Sequence, residues 1–349
     1  MCAARFFSAG GILARVVKEG LREPKHHTVA SARKPVKGVA APARCGRMRH
    51  GLSYSRRRGW RREHEIWRAV AALISVIQLG IVDYETGRSL QERLVGLRKE
   101  NRVGDVLLLL QHKPVITLGR NAKRDNVLAP LEELVRRGVE VFECDRGGDV
   151  TFHGPGQLVG YPIFDLRGIN SPSGKRKTVG AIEYVRGLEE VLIRSCAEFG
   201  IAAQRISGLT GVWTVPESPN LQEGWNAPSS GRKASAEEAK IAAIGVHISR
   251  GVTSHGFALN ANTDLDYFNL IVPCGITAKP VTSMASERGE EVSLDEVAHS
   301  ISRSFGVVFH SEMLWLEDLD SLFKTSVGVP MRPPAELRQM HKEEDTFWA

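Results

Sequence analysis

The residues best equipped for chemistry sit in one stretch, Arg146-Gly147-Gly148-Asp149-Val150-Thr151-Phe152-His153-Gly154-Pro155-Gly156-Gln157-Leu158-Val159-Gly160-Tyr161-Pro162. Arg146, His153 and Gln157 bring donors and acceptors suited to charged or polar groups. The interleaved glycines let backbone approach a ligand closely, and Pro155 removes a donor and stiffens the turn. Two readings compete: a tight hairpin whose polar groups serve its own backbone, and a loop that cradles a ligand. The company of Arg, His and Gln favours the second. Of the five cysteines, Cys196 falls on the apolar stripe of a helix and Cys144 ends a strand, as small buried hydrophobes do. Cys274 instead lies between Pro273 and Gly275 at a strand end. Lys240 closes a polar loop and, on its own, reads as a solvated residue. His247 and His255 lack a third partner for a metal site.

The elements that must hold these residues follow from periodicity. Residues 76–82 are apolar and β-branched, a strand, and 83–88 turn the chain. Leu90, Leu94 and Leu97 recur at helical spacing up to about residue 101. The run 106–112 is apolar throughout and reads as a buried strand, with a second strand at 115–119 expected beside it. A short helix at 131–137, a strand at 139–143, a long amphipathic helix at 179–199, strands at 211–215 and 240–248 and a helix at 294–305 complete the pattern. Strands mixed irregularly with a few helices point to an α+β fold: one mixed-sheet domain flanked by helices. Residues 75–325 form that domain. Within it, 216–239 is polar, Pro- and Gly-containing and reads as an inserted mobile loop, and 330–349 as a polar tail.

The charge is unevenly spread. The chain is +7 overall, yet residues 1–68 hold 17 Lys and Arg against four glutamates, a net of +13, which leaves −6 for the rest. A nucleic-acid enzyme would spread its basic residues over the folded surface, so that class is disfavoured. An Arg-rich, acid-poor start suits a targeting leader over residues 1–70, with the mitochondrion expected and the plastid as the alternative. The longest apolar stretch, 69–82, is shorter than the ~20 residues of a bilayer helix. Scattered cysteines indicate neither a disulfide framework nor zinc.

Four spaced segments together resemble the lipoyl(octanoyl) transferases of the biotin/lipoate ligase-like superfamily. They are Gln111-His112-Lys113-Pro114-Val115-Ile116-Thr117-Leu118-Gly119, the glycine-rich stretch, Lys240 to Gly245 with Ser254 to Asn260, and Pro273-Cys274-Gly275. The resemblance spans about residues 75–310 and implies the biotin/lipoyl protein ligase catalytic fold. It implies transfer of an octanoyl group from octanoyl-acyl carrier protein to a lysine of lipoyl domains. The acceptors it implies are 2-oxoacid dehydrogenase E2 subunits and the glycine cleavage H protein.

The resemblance assigns the acyl-thioester to Cys274 and the lowering of its pKa to Lys240, with no metal and no cofactor. A thioester of similar energy is the natural way-station between a thioester and an amine, and an adjacent ammonium favours the thiolate. The same resemblance assigns an acyl pocket to Arg146, Gly147, Gly148, Asp149, Val150, Thr151, Phe152 and His153, with Ala243, Ile244, Gly245, Gly256, Phe257 and Ala258. Their amides are candidates for an oxyanion site. His153 stays open between substrate contact and a structural hydrogen bond. Arg167 and Lys175-Arg176-Lys177 are candidates for docking an acidic carrier. The alternatives are an ATP-dependent lipoate or biotin protein ligase, in which Lys240 would hold phosphate and Cys274 would be dispensable, and a non-catalytic acyl-domain binding module.

Overall fold

The computed structural model describes residues 72–169, 178–216, 237–273 and 279–323. Strand β1 (Ala72–Val82) leads straight into helix α1 (Tyr84–Lys99). The turn expected at 83–88 is therefore the first part of that helix. Asp83 is its N-cap, its carboxylate accepting from the Thr86 amide at 2.9 Å, which satisfies one of the donors a helix start leaves unpaired.

Strands β2 (Asp105–His112) and β3 (Val115–Leu118) follow, then helix α2 (Leu131–Arg136) and strands β4 (Glu140–Glu143), β5 (Val150–His153) and β6 (Gln157–Ile163). Helix α3 (Ala181–Glu198), strands β7 (Ala203–Ile206), β8 (Leu209–Thr214), β9 (Lys240–Ser249) and β10 (Val252–Asn260), helices α4 (Met284–Arg288) and α5 (Leu294–Phe309), and strand β11 (Ser311–Trp315) complete the order.

Two sheets result. The larger is mixed, in the order β11-β1-β2-β6-β10-β9-β8-β7, with β1 parallel to both neighbours and the other pairs antiparallel. The smaller runs β4-β3-β5. Strands β2 and β3 thus do not lie side by side as expected; the chain crosses from one sheet to the other at Lys113-Pro114, where proline cannot donate to a continuing ladder. The glycine-rich stretch crosses back in the same way. Its strands β5 and β6 belong to different sheets, so it is no hairpin.

Both faces of the large sheet are covered, which explains the unbroken apolar run of β2. Leu107 and Leu109 join the core under α3 and α5, while Val106, Leu108 and Leu110 join the core under α1. The small sheet has its own core of Ile116, Leu118, Val150 and Phe152 with Leu134 of α2 and Leu270. Cys196 of α3 is fully buried in the first core, and burial pushes its thiol up to about 12, so it is the inert cysteine expected. Cys144 is only half-buried; it lies just past the end of β4, its Sγ directed at the Leu118 carbonyl oxygen. The loop expected at 216–239, the leader, the tail and the triplet at 175–177 lie largely or wholly outside the described residues.

Candidate active site

A cleft opens between the two sheets along β9 and β10. Three glycines allow it. Gly147 donates its amide to the Val246 carbonyl at 3.0 Å, laying the loop across β9. A side chain at Gly245 would stand 2.7 Å from the Gly147 oxygen and push that loop away. At Gly256 it would stand 2.2 Å from the Gly160 oxygen. Glycine therefore sets how closely loop and strands approach.

The resulting chamber, with its solvent-open mouth, encompasses about 480 Å³. Of the expected pocket residues, Arg146, Gly148, Thr151, His153, Ala243, Ile244, Gly245, Gly256, Phe257 and Ala258 line it. Gly147, Asp149, Val150 and Phe152 do not. The period of two along β5 is the reason: Thr151 and His153 face the chamber, while Val150 and Phe152 face the small sheet's core. Phe152 stacks on Tyr267 at 4.7 Å. Asp149 turns away to Asn126 Nδ2 and the amides of Lys123 and Val150.

Arg146 lines the chamber as a tie. Its guanidinium donates to the Thr117 hydroxyl and carbonyl and to the Gly147 and Asp149 carbonyls. Those bonds clip the loop to β3 and occupy most of the fork that would otherwise grip a ligand.

His153 belongs to a buried relay whose proton positions the geometry fixes. Gln157 Nε2 donates to the Phe152 carbonyl and to Asn260 Oδ1 at 2.9 Å. Its Oε1 therefore faces His153 Nδ1, 2.8 Å away, and that nitrogen carries the hydrogen. Nε2 is left to accept from the Thr117 hydroxyl, at a long 3.4 Å. Asn260 Nδ2 in turn donates to the Thr282 carbonyl. Burial holds the His153 imidazole down to about 3, so it stays neutral and serves as a structural hydrogen-bonder. His112 behaves alike: Nδ1 donates to the Val82 carbonyl at 2.9 Å and Nε2 accepts from the Tyr161 hydroxyl at 2.6 Å. Burial lowers it to about 4.

Lys240 sits at one end of this trench. It is buried, its Nζ 5.2 Å from the centre of the Trp213 ring. Gly211, at φ +126°, makes room for it, since a side chain there would lie 2.9 Å from Lys240 Cε. The buried Glu189 carboxylate of α3 accepts from the Gly211 amide. Lys279 Nζ approaches the same indole at 5.9 Å and is ion-paired with Glu238.

Cys274 lies outside the described residues. Both flanks of its segment reach Lys240, however. Pro273 and Val281 line one cavity with Lys240. The Lys240 amide donates to the Pro280 carbonyl, and its own carbonyl accepts from the Thr282 amide. That cavity adjoins the chamber, because Thr151, Ala243 and Ala258 line both. The bridge between Lys240 of β9 and Val281 thus holds the described flanks, Pro273 and Val281, beside Lys240.

Sequence reasoning missed several contributors. Trp213 and Lys279 carry no pattern that points to Lys240. Tyr84 lines the chamber from the first turn of α1, a segment read as a turn. Asp145 bonds His255 Nε2 at 2.7 Å and lies 3.7 Å from His247; its position directly before the glycine-rich stretch was the available signal. Arg167 is exposed and bonds both carboxylate oxygens of Asp165. No cluster of three metal-type ligands occurs among the described residues, and no described helix is long and apolar enough to cross a membrane.

Residues 83–306 match the family model described as the lipoyl protein ligase A/B catalytic domain. The chain is 56% identical to an octanoyltransferase of Koribacter versatilis over 78% of its own length and 98% of the relative's. It is 54% identical to an octanoyltransferase of Acidobacterium capsulatum, over 70% and 94% of the two chains. Among solved structures, a bipartite lipoate protein ligase from Thermoplasma acidophilum superposes with a TM-score of 0.50 at 18% identity, covering 75% of this chain and 99% of that one. The last likeness is one of fold, the mixed sheet flanked by helices.

Proposed function

This chain belongs to the lipoyl protein ligase A/B catalytic-domain family, and from that premise we propose that it is an octanoyltransferase of protein lipoylation working through Cys274 and Lys240. The observation that supports the pairing is the convergence of Lys240 with Pro273 and Val281, on either side of the Cys274 segment, in a cavity that opens into the chamber. The relatives named octanoyltransferase support the reaction class.

In the proposed cycle the Cys274 thiolate attacks the carbonyl of octanoyl-acyl carrier protein. The tetrahedral intermediate collapses by breaking the bond to the carrier sulfur, which takes a proton from the Lys240 ammonium and leaves as a thiol. The neutral amine of a lipoyl-domain lysine then attacks the Cys274 thioester and passes its surplus proton to Lys240. The Cys274 thiolate departs, and both groups return to their starting states. Burial of Lys240 against Trp213 strengthens its field at a neighbouring thiol compared with that of an exposed lysine. The methylenes lie in the chamber, each contributing about 0.8 kcal/mol when buried.

The leader remains a separate proposal: residues 1–70 address the chain to an organelle, although the relatives named above are bacterial and lend that no support.

Intact mass after mixing the full chain with octanoyl-acyl carrier protein, without ATP, tests the mechanism. A hydroxylamine-sensitive octanoyl adduct on the parent and none on Cys274→Ala is expected. Transfer only after ATP and free octanoate are added would move the assignment to the ligase branch of the family.

A further inference from the structure

The chamber has a far wall that the proposed chemistry leaves unused. His255 lines the chamber on one side and, on the other, a second, solvent-open cleft that encompasses about 1330 Å³. The order along β10 runs from Asn260 beside Lys240, through Ala258 and Gly256, to His255. Ala258, where the Lys240 cavity meets the chamber, lies three positions from His255, roughly 10 Å at ~3.4 Å per residue. An extended octanoyl chain spans about 9 Å for carbon–carbon bonds of ~1.5 Å in a zigzag. An octanoyl chain whose thioester sits at that junction therefore runs out close to His255.

That wall is fixed and polar. The His255 imidazole is buried, its Nε2 bonded to Asp145 Oδ1 at 2.7 Å, and its amide donates to Gln91 Oε1 at 2.7 Å. The ring stands edge-on to Tyr161 at 6.4 Å, and Tyr161 is itself held by His112. The rings of Tyr84 and Tyr161 offer apolar surface to a terminal methyl. Any further methylene would have to press into a hydrogen-bonded carboxylate pair, which burial of apolar surface does not compensate. Beyond the pair, the second cleft has Val95, Cys144 and His247 on its walls and room to spare.

We propose that His255, pinned by Asp145, is the stop that sets the acyl length the chamber accepts, and that removing its imidazole joins the chamber to the cleft behind and admits longer chains. The proposal rests on the acyl-transfer reading above.

His255 adopts φ +55°, in the left-handed region glycine favours, so His255→Gly removes the imidazole without straining β10. The Asp145 side chain is more than half exposed, so Asp145→Ala unpins the ring with little risk to folding. The experiment measures kcat/KM of the full chain and both variants with octanoyl- and dodecanoyl-acyl carrier protein. In His255→Gly, dodecanoyl transfer rises at least about tenfold, the scale on which a pocket resolves a methylene, while octanoyl transfer falls. Asp145→Ala shifts the ratio the same way, by about threefold. Parallel loss of both substrates, or no gain for dodecanoyl in either variant while the parent transfers octanoyl, overturns the stop. A parent that transfers no octanoyl overturns the acyl-transfer reading itself, and the stop with it.

Discussion

The chamber under the glycine-rich loop and the corner around Lys240 share a trench and treat charge in opposite ways. Behind the chamber wall, neutral polar side chains bond one another: His153 to Gln157, Gln157 to Asn260, His112 to Tyr161. Arg146 keeps its charge but turns it on loop and strand oxygens. In the corner, the Lys240 and Lys279 ammonium groups face one indole, and Glu238 is paired with Lys279. A surface that must receive methylenes gains when its polar side chains bond one another rather than water. A surface that must move a proton keeps a group able to carry it.

The sharpest way to break this contrast is to neutralise the corner while leaving the chamber alone. Lys240→Met keeps the apolar stem against Trp213 and removes only the ammonium. We expect kcat/KM for octanoyl transfer to fall by about a thousandfold, within the range of a lost acid–base group, with urea unfolding little changed. Activity within tenfold of the parent would show that the corner's charge is structural and that the two regions do not divide the labour.

The chamber's neutrality has its own signature in the pH dependence of stability. His153 and His112 are depressed to about 3 and about 4 by burial, against an ordinary value near 6.5. Between those limits the unfolded chain binds protons that the folded chain refuses. Their stabilising effect is therefore complete above pH 6.5 and is lost as pH falls towards the folded values. Each contributes a slope of up to about 1.4 kcal/mol per pH unit, and His255, also lowered chiefly by burial, adds to it with the same sign. Urea unfolding at pH 7, 6 and 5 should show a loss of roughly 2–3 kcal/mol across the last unit, and His153→Gln should remove about half of the slope. Equal stability at pH 7 and 5 would mean that these histidines are already charged in the fold.

How much of this was legible in the sequence depended on whether the signal was local. The long helices, the buried strand β2 and the glycine-rich loop carry their evidence in periodicity or composition. Asp83 was misread because an N-cap and a turn begin with the same residue types, and only the Thr86 bond separates them. The block from Arg146 to His153 was read as one lining surface, although its second half is a strand whose alternate residues face a different core. That required knowing that β5 is buried on both faces. Trp213, Lys279 and the bridge from Lys240 to Val281 are products of tertiary pairing. The resemblance to a family supplied Lys240 and Cys274 where spacing could not.

The smallest expected effect sharpens the contrast most finely, because its sign differs between two variants of one ion pair. Lys279 and Glu238 share an ion pair beside the ring that Lys240 faces, and both are about one-quarter to one-third exposed, so solvent screens them. Lys279→Met leaves the Glu238 carboxylate without its partner and makes the field at the site more negative. Glu238→Gln leaves two ammonium groups at one indole and makes that field more positive. The alkaline limb of the kcat/KM profile should therefore move to higher pH in the first variant and to lower pH in the second. A few tenths of a unit is the scale expected for partly exposed charges several ångströms apart, shrinking in 0.5 M salt. If both variants moved the limb in the same direction, the pair would act by holding the backbone near residue 280 rather than by its charge. A chamber variant such as His153→Gln should leave that limb in place, because the imidazole it replaces is kept neutral by burial.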